Sequence, residues 1–247
     1  MVQKQILIVH PNDKTTSFLD KIKNYLVQRF EDQIHHFNIY PNDDSHNQCI
    51  ARIKSNPDNG LIIFFGHGKT TKLYGAKGDL YDESDFVSPD AIAEKPDNYY
   101  YNDDFINENN IDIFNGKKVF CLACNSNAKV ASFAIENGAK TFLGFGNIPT
   151  SISEFKEDGL ENISNDIVKL MKTELNYIVK RSLEIGIKKN YTFNQLRDVI
   201  QFITNQRIAH YLKVDKTSKV RQTLTFYLYM FKSNIKIFGD PNTTLLG

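Results

Sequence analysis

The stretch Gly60–Gly68, GLIIFFGHG, sets five consecutive large apolar residues between glycines. A strand with one wet face alternates apolar and polar residues. A run that is apolar on both faces therefore belongs in the middle of a sheet covered on both sides. Such sheets are parallel, and their strands need long crossover connections, usually helices. The chain supplies the rest of this pattern. KQILIVH (Lys4–His10) is a first β-branched run, stopped by Pro11-Asn12-Asp13. Phe18, Leu19, Ile22, Tyr25, Leu26 and Phe30 then recur at helical spacing. Gln33–Tyr40 reads as a second strand, Asn47–Lys54 as a short helix, Lys117–Cys124 as a fourth strand and Ala139–Gly146 as a fifth. A helix over Lys129–Asn137 lies between the last two. Three long helical patterns follow, roughly Glu154–Gly186, Thr192–Leu212 and Thr217–Lys232, before a closing strand Ile235–Phe238. The fold class this predicts is α/β: a mostly parallel central sheet of about six strands, helices on both faces and a helical C-terminal region. No internal repeat divides the chain, so a single domain over residues 1–247 is expected. The polar, Tyr- and Asp-rich residues 70–111 are its most mobile part.

Charge and cysteine usage narrow the function classes. Thirty basic side chains face 29 acidic ones, a formal charge of +1, without the basic surplus that neutralises phosphates, so no direct nucleic-acid partner is expected. No apolar run approaches the ~20 residues of a membrane span. The Ile6–Val9 run is too short for a signal peptide. Three cysteines make no disulfide framework, and a cytoplasmic setting is expected.

Candidate chemistry lies where open α/β sheets bind ligands, at the carboxyl ends of strands. Gly66-His67-Gly68 follows LIIFF directly. Cys124 follows VFCLA and precedes Asn125-Ser126-Asn127, residues suited to cap the next helix. A thiol at a helix N-terminus has its thiolate favoured. A His nearby can handle the proton of a leaving amine, and Gly68 can offer its N–H to an oxyanion. Taken singly, a His after a strand or a Cys at a strand end is more often structural. Both at the ends of consecutive core strands point to a catalytic dyad.

Rival motifs fail on spacing. In GHGKTT a phosphate-loop motif would need glycine at Ile63. Cys121 and Cys124 form a C-x-x-C, but an offset of three along a strand sends the thiols to opposite faces. A zinc deaminase would need Glu at Lys69 and Pro at Phe120. A structural zinc on His67, Cys121 and Cys124 lacks a fourth ligand, so no metal and no cofactor are expected.

An apolar strand ending in His-Gly, followed by one ending in Cys, resembles the caspase-like (clan CD) cysteine peptidases, and is most similar to their bacterial CHAT branch. The two sites are 57 residues apart, against about 50 in caspases. Phe120–Gly146, FCLACNSNAKVASFAIENGAKTFLGFG, is similar to that branch's strand, Ala-Cys, helix, Gly-Ala, strand. KIFGDP (Lys236–Pro241) is similar to its closing strand and Gly-Asp-Pro. The resemblance implies a cysteine endopeptidase acting on one or a few partner proteins. Cys124 would be the nucleophile, His67 the proton-handling partner, and the Gly68 and Cys124 N–H groups the oxyanion donors. It also implies a bacterial stress, cell-death or antiphage defence setting. There is no spare length for sensor repeats or a prodomain, so activation by a separate protein partner, by processing within Thr70–Ile111, or by a ligand is expected.

In that family the primary pocket comes from the loop after the first strand and the segment after the strand that follows the Cys. Here those are Asn12-Asp13 and Gly146-Asn147-Ile148, with Glu154 and Asp158 as further carboxylates. Two readings of Asp13 stand side by side: a partner for a substrate's basic side chain, or a cap for the helix beginning near Lys14. The acidic cluster Asp79, Asp82, Glu83, Asp85 reads as a solvated loop, since its spacing fits no calcium loop. Two alternatives to the peptidase remain open: a catalytically silent adaptor of the same fold, and a C-x-x-C redox enzyme or small-molecule hydrolase.

Overall fold

The computed structural model describes residues 5–11, 13–81, 87–214 and 219–247. Lys4, Asn12, Asp82, Glu83, Asp85 and Thr217, named above, lie outside the described residues. In chain order the strands are β1 (Ile6–Pro11), β2 (Ile34–Ile39), β3 (Leu61–Phe65), β4 (Gly68–Lys69), β5 (Lys72–Leu73), β6 (Lys118–Leu122), β7 (Thr141–Gly144) and β8 (Lys236–Gly239). The helices are α1 (Asp20–Arg29), α2 (Asp43–Ser55), α3 (Pro89–Glu94), α4 (Pro96–Tyr99), α5 (Lys129–Glu136), α6 (Ile152–Glu157), α7 (Asn165–Lys189), α8 (Phe193–Val214) and α9 (Lys219–Ser233).

Six strands form one sheet in the order β2-β1-β3-β6-β7-β8. The first five run parallel, and β8 closes the edge antiparallel to β7, with Gly239 opposite Thr141. The chain steps from β1 out to β2 and returns to β3 on the other side of β1. The strand order therefore reverses between β1 and β3, which opens a crevice at their carboxyl ends.

The period-2 alternation of the central strands divides the core in two. Ile6, Ile8, Ile63, Phe65 and Phe120 face α1, α7, α8 and α9. Leu7, Val9, Ile62, Phe64, Val119 and Cys121 face α2 and α5. This is why β1, β3 and β6 read as unbroken apolar runs.

The expected helix Glu154–Gly186 is two helices, α6 and α7. Gly159 adopts a left-handed φ of 86°, and the Leu160 N–H reaches the Phe155 carbonyl (3.1 Å), a glycine-based C-terminal cap. Residues 70–111, expected as a polar loop, hold β5, which pairs with β4 as a short hairpin, together with α3, α4 and buried Leu73, Ala76, Phe105 and Ile106. His46 on α2 ties this stretch down. Its Nε2 accepts the Ala76 N–H (3.0 Å), and its Nδ1 lies 2.7 Å from the Asn42 carbonyl.

The C-terminal helices are joined to the sheet by aromatic contacts and to each other by a buried charge. Phe145 stacks on Phe231 of α9 (centroids 5.1 Å apart) and meets Phe120 edge-on (5.4 Å). The buried Glu174 of α7 accepts two hydrogen bonds from the Arg207 guanidinium of α8 (2.6 and 2.8 Å) and one from the Tyr211 hydroxyl (2.6 Å). A buried carboxylate with both oxygens satisfied is tolerated where a bare one would not be. Among the described residues no helix is long and apolar enough to cross a membrane.

Phe145→Ala removes a fully buried ring shared by the sheet and α9. It is expected to cost about 3–5 kcal/mol, read as a lower midpoint in urea unfolding. A cost under about 1 kcal/mol would mean that the helical region is not packed on the sheet as described.

Candidate active site

Four parallel strands deliver side chains to one small region. The turn after β1 brings Asp13, Thr15 and Thr16; the end of β3 brings His67; the end of β6 brings Cys124; the segment after β7 brings Ile148 and Thr150. His67 and Cys124, together with Thr16, Ile148, Thr150 and Glu154, line one cavity of about 30 Å³. That is room for about one or two water molecules and not for a peptide side chain.

The turn after β1 is organised by Asp13. Its Oδ1 accepts the backbone N–H groups of Thr15 (2.8 Å) and Thr16 (2.9 Å) and the Thr15 hydroxyl (2.5 Å). This is the capping role foreseen for it, although the first regular turn is a 3-10 segment, Ser17–Leu19, ahead of α1. The turn also presents Asp13 to His67. The carboxylate lies 3.9 Å from His67 Nε2, and the Thr15 Oγ1 sits between them, 2.6 Å from the ring. Asp13 is buried, with 7% of its surface exposed. Burial alone would raise its carboxyl, but the His67 and Thr15 contacts outweigh it and hold the group far below its ordinary range. His67 moves the other way. Burial lowers the imidazole, and Asp13, with the more distant Glu154, more than reverses that, so the net shift is upward; Lys77 opposes weakly.

Cys124 is half-buried, and its S–H donates to the Ile148 carbonyl (3.5 Å). Burial pushes the thiol up to about 12, and the Glu154 carboxylate adds to the effect. The expectation that a helix N-terminus favours the thiolate is corrected here. The helix α5 begins at Lys129 with Ala128 as an N-cap that has no side-chain cap, so Cys124 sits in the preceding turn. Nor do Asn125-Ser126-Asn127 cap that helix. Asn125 takes a left-handed φ of 54° and donates its N–H to the Gly146 carbonyl (3.0 Å). The Ser126 hydroxyl bridges the Cys121 carbonyl and the Phe145 N–H. The Asn127 amide donates to the Asn234 carbonyl. These residues bind the Cys124 turn to the end of β7 and to the segment before β8.

Gly68 lies against this turn. A Cβ there would sit 3.2 Å from both the Cys124 carbonyl oxygen and the Ala123 Cβ. The Cys124 N–H donates to no backbone carbonyl among the described residues. Cys121 packs in the core on the far side of the sheet while Cys124 packs against the near one, and both thiols are free.

Gly146 and Asn147 stand apart from the Cys124 cavity. Gly146 is buried against Asn234. The Asn147 amide donates to both Asp158 oxygens (2.8 Å each), and these two residues line a separate cavity of about 240 Å³ with Phe226 and Met230. Glu154 does reach the Cys124 cavity. Its Oε2 accepts the Thr150 N–H (2.6 Å) and hydroxyl (3.2 Å), and the Ser151 hydroxyl accepts the Glu154 N–H. Ser151-Ile152-Ser153-Glu154 is a capping-box pattern visible in the sequence, and it aims the carboxylate. His10, the other histidine at this edge, is buried beneath the site with Nδ1 3.3 Å from Asp20, and burial lowers it. Among the described residues no group of three metal-ligating side chains comes together.

No protein-family model matches the chain, and no curated protein matches it. Among solved structures, a putative phosphofructokinase from Staphylococcus aureus aligns over 94% of this chain and 98% of its own at 10% identity and a TM-score of 0.23. A likeness at that level carries no argument.

The Asp13–His67 pair makes stability depend on pH in a defined window. The raised imidazole stabilises the fold fully below the ordinary histidine value of 6.5, and this is lost as pH rises through the raised value. The depressed carboxyl stabilises above 3.8 and is lost as pH falls through the depressed value. Asp13→Asn keeps an oxygen for the capping bonds and removes only the charge. It is expected to lower Tm by roughly 2–8 °C near pH 5, with the gap closing as pH rises through the raised His67 value. A gap that does not vary with pH would refute the pairing.

Proposed function

We propose that the chain is a cysteine endopeptidase of the caspase-like kind, described here in a resting state. The observation that carries this reading is that His67 and Cys124, from adjacent parallel strands, line one cavity, with a buried carboxylate behind the histidine. In the reaction the Cys124 sulfur attacks the scissile carbonyl carbon as its S–H proton passes to His67. The tetrahedral oxyanion meets the backbone N–H groups of Gly68 and Cys124. The C–N bond then breaks, the leaving amine takes the proton from His67, and a thioester remains. Water hydrolyses it, giving its proton to His67 and restoring the thiol.

The resting features support a latent enzyme. The thiol is neutral and engaged by the Ile148 carbonyl, and the cavity admits no side chain. A protein partner or substrate that shifts residues 146–154 would both free the sulfur and open the cavity. Asp13 is committed to Thr15, Thr16 and His67, so it serves the dyad more directly than it serves a substrate. Glu154 is the carboxylate within the cavity that can meet a basic side chain. Three free cysteines fit a cytoplasmic setting. The bacterial defence role rests on the family resemblance.

The same small cavity favours a second reading, a silent adaptor that keeps the fold and not the chemistry. It requires Cys124→Ala to leave the cellular effect unchanged.

Intact-mass kinetics with iodoacetamide on the half-buried Cys124 thiol separate the two. Cys124 is expected to be the one site labelled in the folded protein. The mass shift disappears in Cys124→Ala, and labelling slows about tenfold or more in His67→Ala, while Cys49 and Cys121 react only on unfolding. A Cys124 labelling rate indifferent to His67→Ala would sink the dyad.

A further inference from the structure

We propose that Thr15 is a positioning residue whose hydroxyl links the His67 ring to the Asp13 carboxylate, holding the neutral imidazole with its proton on Nε2 and leaving Nδ1 to handle the proton of the reaction. The reference to a reaction rests on the peptidase reading; the hydrogen-bond chain itself does not.

Counting protons gives the direction of each bond. A hydroxyl has one proton to donate, and an ionised carboxylate has none. Asp13 Oδ1 already accepts two backbone N–H groups, and Thr15 Oγ1 lies 2.5 Å from it. The single Thr15 proton therefore points at Asp13. The same Oγ1 lies 2.6 Å from His67 Nε2. With its proton committed, the oxygen has only lone pairs left for the ring, so Nε2 must be the donor. Direct contact between the carboxylate and the ring, at 3.9 Å, is too long for a hydrogen bond. The link passes through the hydroxyl.

The turn holds this arrangement in place. Asp13 binds the N–H groups of Thr15 and Thr16, so the carboxylate that receives the Thr15 proton also fixes the backbone from which Thr15 projects. His67 arrives from β3, the neighbour of β1 across the crevice. Its Nδ1 has no hydrogen bond among the described residues. The charged and titratable groups around the ring are Asp13 and Glu154, which favour a cation, Lys77, which disfavours one, and the neutral Cys124 thiol in the same cavity. When Nδ1 takes up a proton, the donors Nε2–H and Oγ1–H already point toward Asp13. The new charge is then met without reorientation.

The test is a long-range proton–nitrogen correlation spectrum of the 15N-labelled protein, recorded above the His67 titration, with the His67 signals assigned by their loss in His67→Gln. A single Nε2–H signature is expected in the wild type. Thr15→Val keeps the backbone bonds to Asp13 at an exposed position. It should show both tautomers and a lower His67 titration point, and Thr15→Ser should restore both properties. An Nδ1–H signature in the wild type, or a Thr15→Val protein identical to it in tautomer and titration, overturns the proposal. The spectrum is read on the resting protein, so the relay can stand if Cys124 proves inert, and it can fail while Cys124 proves nucleophilic.

Discussion

The burial of β1, β3 and β6 on both faces is the constraint from which the rest of the structure follows. No water reaches these strands, so each must pair on both edges and cover both faces. Parallel pairing then forces every connection to cross over a face, and the two cores are the result. Polar groups are driven to the strand ends. Lys118, at the amino end of β6, shows the cost of being caught inside. It is fully buried, burial pulls it down to about 8, and its ammonium group donates to the Thr244 carbonyl. At the carboxyl ends the strands release their chains into turns that are free to carry Asp13, His67 and Cys124. The site is where it is because the sheet accepts such groups nowhere else.

Within the site, electrostatics separate the two reactive groups. The Asp13 carboxylate, immobilised by its own turn, raises His67. Burial and Glu154 raise Cys124. Both shifts keep protons on: the imidazole tends toward its cation and the sulfur stays a thiol. A base that is already charged cannot take a proton, so this balance is a resting one. Glu154 acts on both groups in the same direction. A cation seated beside it would lower the thiol and the imidazole together, so charge brought by a ligand and chemical competence are coupled through one carboxylate.

The sequence was legible where one physical signal dominated. Continuous apolar runs located β1, β3, β6 and β7; Gly66 and Gly68 marked the His67 loop, and the polar Asn125-Ser126-Asn127 marked the one after Cys124. It was less legible where two local signals competed. Glu154–Gly186 reads as one helical pattern, and Gly159, with its left-handed φ, records the break between α6 and α7. Asn125-Ser126-Asn127 has the composition of a cap, but tertiary partners at Gly146, Phe145 and Asn234 claim those groups instead. Thr15 went unread because its role exists only when β1 and β3 lie side by side. Nothing within two residues of it in the chain indicates a histidine 52 positions away.

The same reasoning explains why Asp13 could be read two ways. A carboxylate after Pro11-Asn12 is a good cap and a good cation binder, and local sequence cannot rank them. The fold ranks them through burial. A buried carboxylate depends on fixed donors; Thr15 and Thr16 supply them to Asp13 Oδ1 from the same turn, while Oδ2 is buried with no hydrogen-bond partner among the described residues. Once they are in place, the remaining attraction of the charge acts on the His67 ring, which it raises, and also on His10, where burial outweighs it. Capping and electrostatic support of His67 are therefore one interaction seen from two sides. The bonds that order the turn hold the charge still, and a charge held still can bias a proton on a neighbouring ring.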